Sequence, residues 1–369
     1  MRRGMVWTGL CGVLAAACLM VPQGGRAAAV PDAAFKGTYS YGPQKRQTIG
    51  AYRGAGTGVR PVVMILHGGY WAQDSDWSGW ARKLAARGFV VFDVDYRLNT
   101  DAHWQAQRAD ALTALRWIRA QAGRFRADPR RVVLLGSSAG GQIAANTAEY
   151  TAGTAERPAG VVALSPVADP YLAWRAGARS GASAAQRRLR REAQKLAGCD
   201  PTKAKKAASA PEAPAALLAS TIPAASAAPP AFVASAGSGA SAGFVAAAKC
   251  RAVWDDMAAR TWAPGGPERP GGPGMPMLLM HLAHDFVPVA HSRGLAKAEP
   301  QATVSVVPGT GHGMTALTRP GVERRVLAWL MARVGRPATA RRTYGTEIRT
   351  SGAAHRTPRP VSAAGSGAA

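Results

Sequence analysis

The stretch "VVLLGSSAGGQ", residues 132–142, joins an apolar run to a helical pattern through a short turn of glycine and serine. Residues 132–135 are all large and apolar, as in a strand that is buried on both faces. The following "GQIAANTAEYTA" has the composition and length of a helix. A buried strand, a tight turn and a helix in this order predict one unit of a parallel α/β sheet.

The same alternation of short apolar runs and helical patterns continues on both sides of this stretch. Each run is continuous rather than alternating, which indicates strands covered by helices on both faces. The sequence therefore predicts an α/β protein with a mostly parallel sheet flanked by helices. The predicted strands are 62–66, 89–94, 132–135, 160–164, "MPMLLMHLAH" and "ATVSVV", and a last helix lies near "GVERRVLAWLMARVG".

Composition divides the chain into a leader, one folded domain and a tail. Residues 30–335 are predicted to form a single domain, interrupted at about 177–275 by an insertion rich in Ala, Ser, Pro, Gly and basic residues. A segment so poor in large apolar side chains buries little surface, so parts of it are expected to be mobile. The polar tail, 336–369, is expected to be disordered.

Residues 1–29 have the pattern of a secretory signal peptide. Two arginines precede an apolar run from Met5 to Val21, and "GRAAAV" offers a cleavage site near Ala29. The run is short for a membrane anchor, which needs about 20 apolar residues. An acylated Cys18 is a second alternative, but Ala15 stands where a lipoprotein signal usually has leucine. The expected destination is the periplasm or the medium.

Cysteine usage and charge limit the possible partners. Removal of the signal leaves Cys199 and Cys250, which could pair in an oxidising compartment or remain as thiols. No CxxC pair or His/Cys cluster suggests a metal site. The formal net charge is +25, but the arginines are spread along the chain and not interleaved with aromatic residues. This excess leaves open non-specific contact with anionic surfaces and does not indicate specific nucleic-acid binding.

"GSSAG" fits the pattern G-x-S-x-G, in which a serine stands on a strained turn between strand and helix. The pattern alone is weak, because "GASAG" at 239–243 spells it again around Ser241. Only Ser138 has a strand before it, a helix after it and a further strand to follow. We therefore predict Ser138 as the nucleophile, in preference to Ser241 or the adjacent Ser137.

A serine nucleophile needs a base, and the base needs a carboxylate that orients it. His312 follows the last predicted strand in a glycine-rich loop, a setting that the other histidines lack. Asp285 follows the preceding strand, and the order Ser, Asp, His is that of the α/β hydrolases. Asp169 is the competing acid, with a helix-capping role before Pro170 as its alternative. The other histidines considered are His103, His281, His284 and His291.

The oxyanion of an acyl-transfer intermediate needs N–H donors. We expect one from Ala139, directly after the nucleophile. The others are expected from Gly69 and Tyr70 in "HGGYW", at the end of an early strand.

Together these motifs resemble the α/β-hydrolase superfamily, especially its esterase/lipase branch. "HGGYW" is similar to the His-Gly-Gly-x-Trp form of arylformamidases and related bacterial carboxylesterases, and "FDVDYRL" and "GHG" also look like that group. The resemblance covers roughly residues 55–170 and 275–333. Two departures are Leu282, where the acid motif usually has glycine, and Tyr70, where the lipase motif has a third glycine.

The expected function is an exported serine hydrolase that cleaves carboxylic esters through Ser138, Asp285 and His312, without a cofactor. The same residues could serve an arylformamidase-like amide hydrolase. A third interpretation, from a different class, is a catalytically silent α/β-hydrolase domain that binds surfaces.

Overall fold

One eight-stranded sheet organises the protein. The computed structural model describes residues 34–202 and 239–335. The leader 1–29, the tail 336–369 and residues 203–238 of the predicted insertion lie outside the described residues. The strands are β1 Phe35–Ser40, β2 Thr48–Arg53, β3 Arg60–Leu66, β4 Val90–Val94, β5 Ala127–Ser137, β6 Gly160–Leu164, β7 Met277–His284 and β8 Ala302–Thr310.

The strand order is β1-β2-β4-β3-β5-β6-β7-β8. β1 pairs with β2, and β2 with β4, in antiparallel fashion, while all later pairs are parallel. The prediction of a mostly parallel sheet is confirmed. Because the parallel strands end at the same edge, the segments after β3, β5, β7 and β8 come together there.

Helices cover both faces of the sheet, so side chains that alternate along each strand enter two separate cores. On β3, Val62, Met64 and Leu66 belong to one core, while Val63 and Ile65 belong to the other. All seven residues of this strand are buried, which explains its continuous apolar run. The helices are α1 Ser78–Ala86, α2 Ala106–Ala120, α3 Ala122–Phe125, α4 Ala139–Thr151, α5 Pro170–Ala176, α6 Ala184–Ala197, α7 Gly239–Met257, α8 Ala290–Ala298 and α9 Val322–Val334.

The described parts of the insertion are better packed than its composition suggested. α6 carries Leu189 and Leu196 into the core, and α7 contributes Trp254 and Met257. These buried apolar side chains recur at helical spacing on one side of each helix, so the two helices pack against the core despite a low apolar content. None of the helices within 34–202 and 239–335 has the length and apolarity of a bilayer-spanning segment.

A disulfide between Cys199 and Cys250 joins the end of α6 to α7. It closes a loop with a sequence separation of 51 residues, which contains the residues outside the described part. The open choice between disulfide and free thiols is therefore resolved in favour of the disulfide.

Replacing both cysteines, Cys199→Ser with Cys250→Ser, is expected to lower the free energy of unfolding by about 2–4 kcal/mol, because the unfolded chain regains the entropy of a long loop. Thermal unfolding of the double variant, with and without reductant, measures this. Reductant should lower the Tm of the wild type and leave the Tm of the variant unchanged. Equal Tm values for both proteins without reductant would contradict a stabilising disulfide.

Candidate active site

Ser138 stands on a strained turn between β5 and α4. Its backbone has φ 54° and ψ −115°, in the left-handed half of conformational space that a residue with a side chain rarely adopts. Such a conformation costs about 1–3 kcal/mol and persists only where the surroundings hold it. Here the N–H of Ser138 donates to the carbonyl of Leu164 (2.8 Å), and its own carbonyl accepts from the N–H of Val167 (3.2 Å).

The two outer glycines of "GSSAG" are needed because backbone passes very close to them. A Cβ placed on Gly136 would lie 2.3 Å from the carbonyl oxygen of Gly140. A Cβ on Gly140 would lie 2.1 Å from the carbonyl oxygen of Leu66, at the end of β3. The motif therefore brings the turn at Ser138 against the segment that follows β3.

The two competing serines have different settings. Ser241 lies inside helix α7, which begins at Gly239, and so does not stand on a strand-to-helix turn. Ser137 is the last residue of β5 and is buried, and its hydroxyl would lie 2.3 Å from a Cβ placed on Gly313. Ser137 therefore packs beneath the loop that carries His312.

His312 and Asp285 form a hydrogen-bonded pair at the ends of β8 and β7. The distance from His312 Nδ1 to Asp285 Oδ1 is 2.7 Å. Asp285 Oδ1 also accepts from the N–H of Val287 (2.9 Å), and the Asp285 side chain is only 1% exposed. His312 Nε2 is buried and has no hydrogen-bond partner within the described ranges. When Nδ1 carries the proton and donates it to the carboxylate, Nε2 is left as the basic nitrogen.

Three further side chains hold the loop of His312, and the sequence analysis missed them. The hydroxyl of Ser165 accepts from the N–H of Gly313 (2.9 Å), and Thr315 Oγ1 accepts from the N–H of His312 (3.0 Å). The ring of Phe286 lies 4.1 Å from the ring of His312. Ser165 directly follows β6, and this position at the end of a parallel strand is the feature of the sequence that could have indicated it.

The predicted oxyanion residues Gly69 and Tyr70 lie in a tight loop after β3. Gly69, Tyr70 and Trp71 all have positive φ values, of 116°, 61° and 59°. A Cβ on the preceding Gly68 would lie 3.4 Å from the Cβ of Ser138, so the loop runs beside the turn. Ala139, the third predicted donor, is the first residue of α4.

Buried polar side chains hold this loop in place. Trp71 Nε1 donates to Gln142 Oε1 (3.0 Å), which ties the loop to α4. The hydroxyl of Tyr96 donates to the carbonyl of His67 (2.7 Å), and the two rings stack at 4.2 Å. A loop held in this way keeps a fixed backbone geometry, which is what an oxyanion site requires of its donors.

The other two buried histidines belong to the packing around Asp285. His281 Nδ1 lies 2.9 Å from the hydroxyl of Ser292, and His291 Nδ1 accepts from the N–H of Asp169 (3.3 Å). Burial lowers the pKa of each histidine to about 4, so both are neutral at pH 7. Of the remaining candidates, His103 and His284 are exposed.

Asp169 is engaged as a helix cap. Its Oδ1 accepts from the N–H of Leu172 (3.0 Å), and its Oδ2 lies 3.1 Å from Arg260 Nε. The structure therefore pairs His312 with Asp285 and places Asp169 in its alternative, capping role.

Acidification is expected to weaken the contribution of His281 and His291 to the stability of the fold. Each has a pKa near 4 when folded and near 6.5 when unfolded, so the unfolded chain binds more protons between these values. The contribution of these two histidines to stability then falls as pH is lowered from 6.5 towards 4, by about 2 kcal/mol per histidine at pH 5. It opposes the contribution of Glu149 and Asp93, whose pKa values burial raises to about 9 and about 7, so that acidification stabilises the fold through them. The measurement is Tm at pH 7 and pH 5.

His281→Asn should make the Tm at pH 5 higher relative to the Tm at pH 7 than it is in the wild type, because the loss due to protonation of His281 is removed. His103→Asn, a change at an exposed histidine, should leave this difference as in the wild type. An equal difference in Tm between pH 7 and pH 5 for the wild type and His281→Asn would contradict the lowered pKa of His281.

No group of three or more His, Cys, Asp or Glu side chains in residues 34–202 and 239–335 could hold a metal ion.

Comparison with known proteins agrees with this architecture. The sequence profile of a family described as the alpha/beta hydrolase fold matches residues 63–248, half of the 369-residue chain. Esterase LipC of Mycobacterium tuberculosis is 33% identical over 110 residues, which are 28% of this chain and 27% of LipC. Carboxylesterase NlhH of the same organism is 38% identical over 93 residues, 24% of this chain and 29% of NlhH. The matched segments span less than a third of either relative.

Solved structures extend the likeness over most of the chain. Esterase B from Lactobacillus Rhamnosis has a TM-score of 0.58 at 20% identity, covering 87% of this chain and 90% of that protein. Esterase Est2 from Thermogutta terrifontis has a TM-score of 0.52 at 18% identity, covering 82% and 96%. At these identities the likeness concerns the fold.

Proposed function

Because the chain belongs to the alpha/beta hydrolase fold family, we propose that it is a serine hydrolase that cleaves carboxylic esters. The observation that carries the proposal is the 2.7 Å contact between His312 Nδ1 and Asp285, which leaves Nε2 without a partner among the described residues. This pair lies at the sheet edge where the strained Ser138 also stands. Relatives that bear the names esterase and carboxylesterase support the same reaction class.

The proposed reaction proceeds through an acyl-enzyme. Ser138 Oγ attacks the acyl carbon while His312 Nε2 takes its proton and then gives it to the departing alcohol. Water, activated by the same histidine, then attacks the acyl-serine and releases the acid. These steps use no cofactor.

Asp285 and the backbone donors stabilise the charges that develop in this reaction. The buried Asp285 carboxylate holds the ring of His312 and balances the imidazolium that forms. The negative oxygen of the tetrahedral intermediate would be met by the N–H groups of Ala139, Gly69 and Tyr70. The anchoring of the loop after β3 by Gln142 and Tyr96 supports this role, because an oxyanion site needs donors of fixed position.

We also propose that the protein is exported. The predicted signal over 1–29 lies outside the described residues, and the support comes from the Cys199–Cys250 disulfide. Such bonds persist in the periplasm or outside the cell and are rare in a reducing cytosol. Sequencing the amino terminus of protein recovered from the cell envelope and the medium tests this. An intact Met1 in the mature protein would contradict cleavage.

A fluorophosphonate probe tests the reaction class directly. The expected result is a single phosphonylated peptide that contains Ser138, with parallel hydrolysis of short 4-nitrophenyl esters by the same preparation. An unlabelled, inactive but folded protein would instead favour the surface-binding domain. Comparing rates on phenyl acetate and N-formylkynurenine distinguishes the ester from the amide reaction.

A further inference from the structure

Helix α6, which belongs to the insertion, is strongly basic, and its cations form no ion pair with an acid in the described part of the chain. Among the ion pairs of the described residues, none joins a cation of this helix to a carboxylate. Its single acid, Glu192, accepts a hydrogen bond from Asn99 instead. The five cations of the helix are Arg187, Arg188, Arg190, Arg191 and Lys195.

One of these cations, Arg188, lies over the predicted oxyanion loop. Its guanidinium is 4.4 Å from the centre of the Tyr70 ring, and its Nη2 donates to Gln73 Oε1 (2.7 Å). The Tyr70 ring stacks on Phe286 at 5.9 Å, and Phe286 in turn lies 4.1 Å from the ring of His312. Only two aromatic side chains therefore separate this positive charge from the proposed catalytic base.

The backbone of α6 is anchored, so the position of Arg188 is defined. Ser183 and Gln186 form a capping box at the start of the helix, and Gln186 Nε2 donates to the carbonyl of Phe286 (3.1 Å). Leu189 packs in the core, and the Cys199–Cys250 disulfide follows the helix. The helix is thus held at several points, and one of them, Phe286, lies against the ring of His312.

A guanidinium stacked on an aromatic ring still has its in-plane N–H groups available. The hydrogen-bond partner of Arg188 is a neutral amide, so its charge is not neutralised there. The buried acid of the site, Asp285, is only 1% exposed and is already engaged by His312 and Val287. A carboxylate is the group whose paired oxygens match a guanidinium fork.

We propose that Arg188 selects esters that carry a carboxylate group, by binding that group beside Tyr70 at the entrance to the site. This inference rests on the proposed ester hydrolysis and names its substrate class. Arg188 is in this view a specificity-determining residue and takes no part in proton transfer.

The test compares matched charged and neutral esters. For a carboxylate on the acyl side, the pair is the 4-nitrophenyl monoester of glutaric acid and its methyl ester. For a carboxylate on the leaving group, the pair is 4-acetoxybenzoate and its methyl ester. The measured quantity is the ratio of kcat/KM for the charged and the neutral ester, which does not depend on the fraction of folded enzyme.

In Arg188→Gln this ratio is expected to fall about 10-fold or more for at least one pair, mainly through KM, since a charged hydrogen bond is lost. Arg188→Lys keeps the positive charge but lacks the paired N–H groups of the planar guanidinium, so it should give an intermediate ratio. Arg191→Gln, at an exposed position of the same helix, should keep the wild-type ratio. The pair of esters whose ratio falls in Arg188→Gln shows whether the carboxylate is on the acyl side or on the leaving group.

Equal ratios in the wild type and Arg188→Gln, with the neutral esters hydrolysed, would overturn this proposal and leave the proposed function standing. An equal fall in Arg191→Gln would also overturn it, because the effect would then belong to the charge of the whole helix. A wild type that hydrolyses none of the four esters would overturn both proposals.

Discussion

Ser138→Ala is expected to lower kcat/KM for short 4-nitrophenyl esters by at least about 10³-fold, because the proposed acyl-enzyme forms on the hydroxyl that this change removes. The Tm should stay near that of the wild type or rise, since the substitution removes one oxygen and adds no volume. Steady-state kinetics and thermal unfolding on the same preparations give both values. The fluorophosphonate label should disappear from the same variant.

Two serine variants serve as matched controls for this prediction. Ser241→Ala changes the centre of the second "GSSAG"-like motif, which lies inside α7, and should retain wild-type kinetics. Ser137→Ala changes the immediate neighbour, which packs under Gly313, and should remain labelled by the probe. Activity retained in Ser138→Ala, or lost in Ser241→Ala alone, would contradict the assignment of the nucleophile.

The central strands could be predicted because burial on both faces leaves a continuous apolar run in the sequence. The runs at 62–66, 132–135 and 160–164 fall inside β3, β5 and β6. β1 and β2 were missed because neither has a continuous run of large apolar residues: "FKGTYS" and "TIGAYR" both mix Gly, Thr and Tyr with a basic residue. β2 is recognisable by its pairing with β4, and β1 by its pairing with β2, which a local pattern does not contain.

The residues of the site that follow strands could also be predicted from chain order. The pairing of His312 with Asp285 agrees with the positions of both residues after adjacent parallel strands. The supporting contacts of Ser165 and Gln142 could not be predicted, because each joins residues that are distant in the sequence. The same holds for Arg188, whose place over Tyr70 depends on how α6 packs across the sheet edge.

The insertion was the least predictable part. Its average composition suggested little burial, but a few large side chains of α6 and α7 lie on one side of each helix, and a disulfide joins the pair. An average over about 100 residues hides such a stripe.

Asp285→Ala is expected to lower kcat by about 10⁴-fold, because His312 loses both the partner that sets its tautomer and the charge that balances the imidazolium. For Asp285→Asn the hydrogen bonds of Asp285 predict a smaller loss than for Asp285→Ala. Asp285 Oδ1, which faces His312 Nδ1, also accepts from the N–H of Val287. In Asp285→Asn that N–H favours the amide oxygen at this position, so the ring can keep its tautomer and only the charge is lost.

The order of activity is therefore expected to be wild type, then Asp285→Asn, then Asp285→Ala, measured as kcat on a saturating neutral ester. Asp169→Ala is the matched control at the other acid. It should lose about 1 kcal/mol of stability, because Asp169 caps α5, and retain kcat. A large loss of kcat in Asp169→Ala with wild-type kcat in Asp285→Ala would transfer the orienting role to Asp169. Asp169 Oδ1 and Oδ2 are already engaged by Leu172 and Arg260. We therefore expect the large loss of kcat in Asp285→Ala and not in Asp169→Ala.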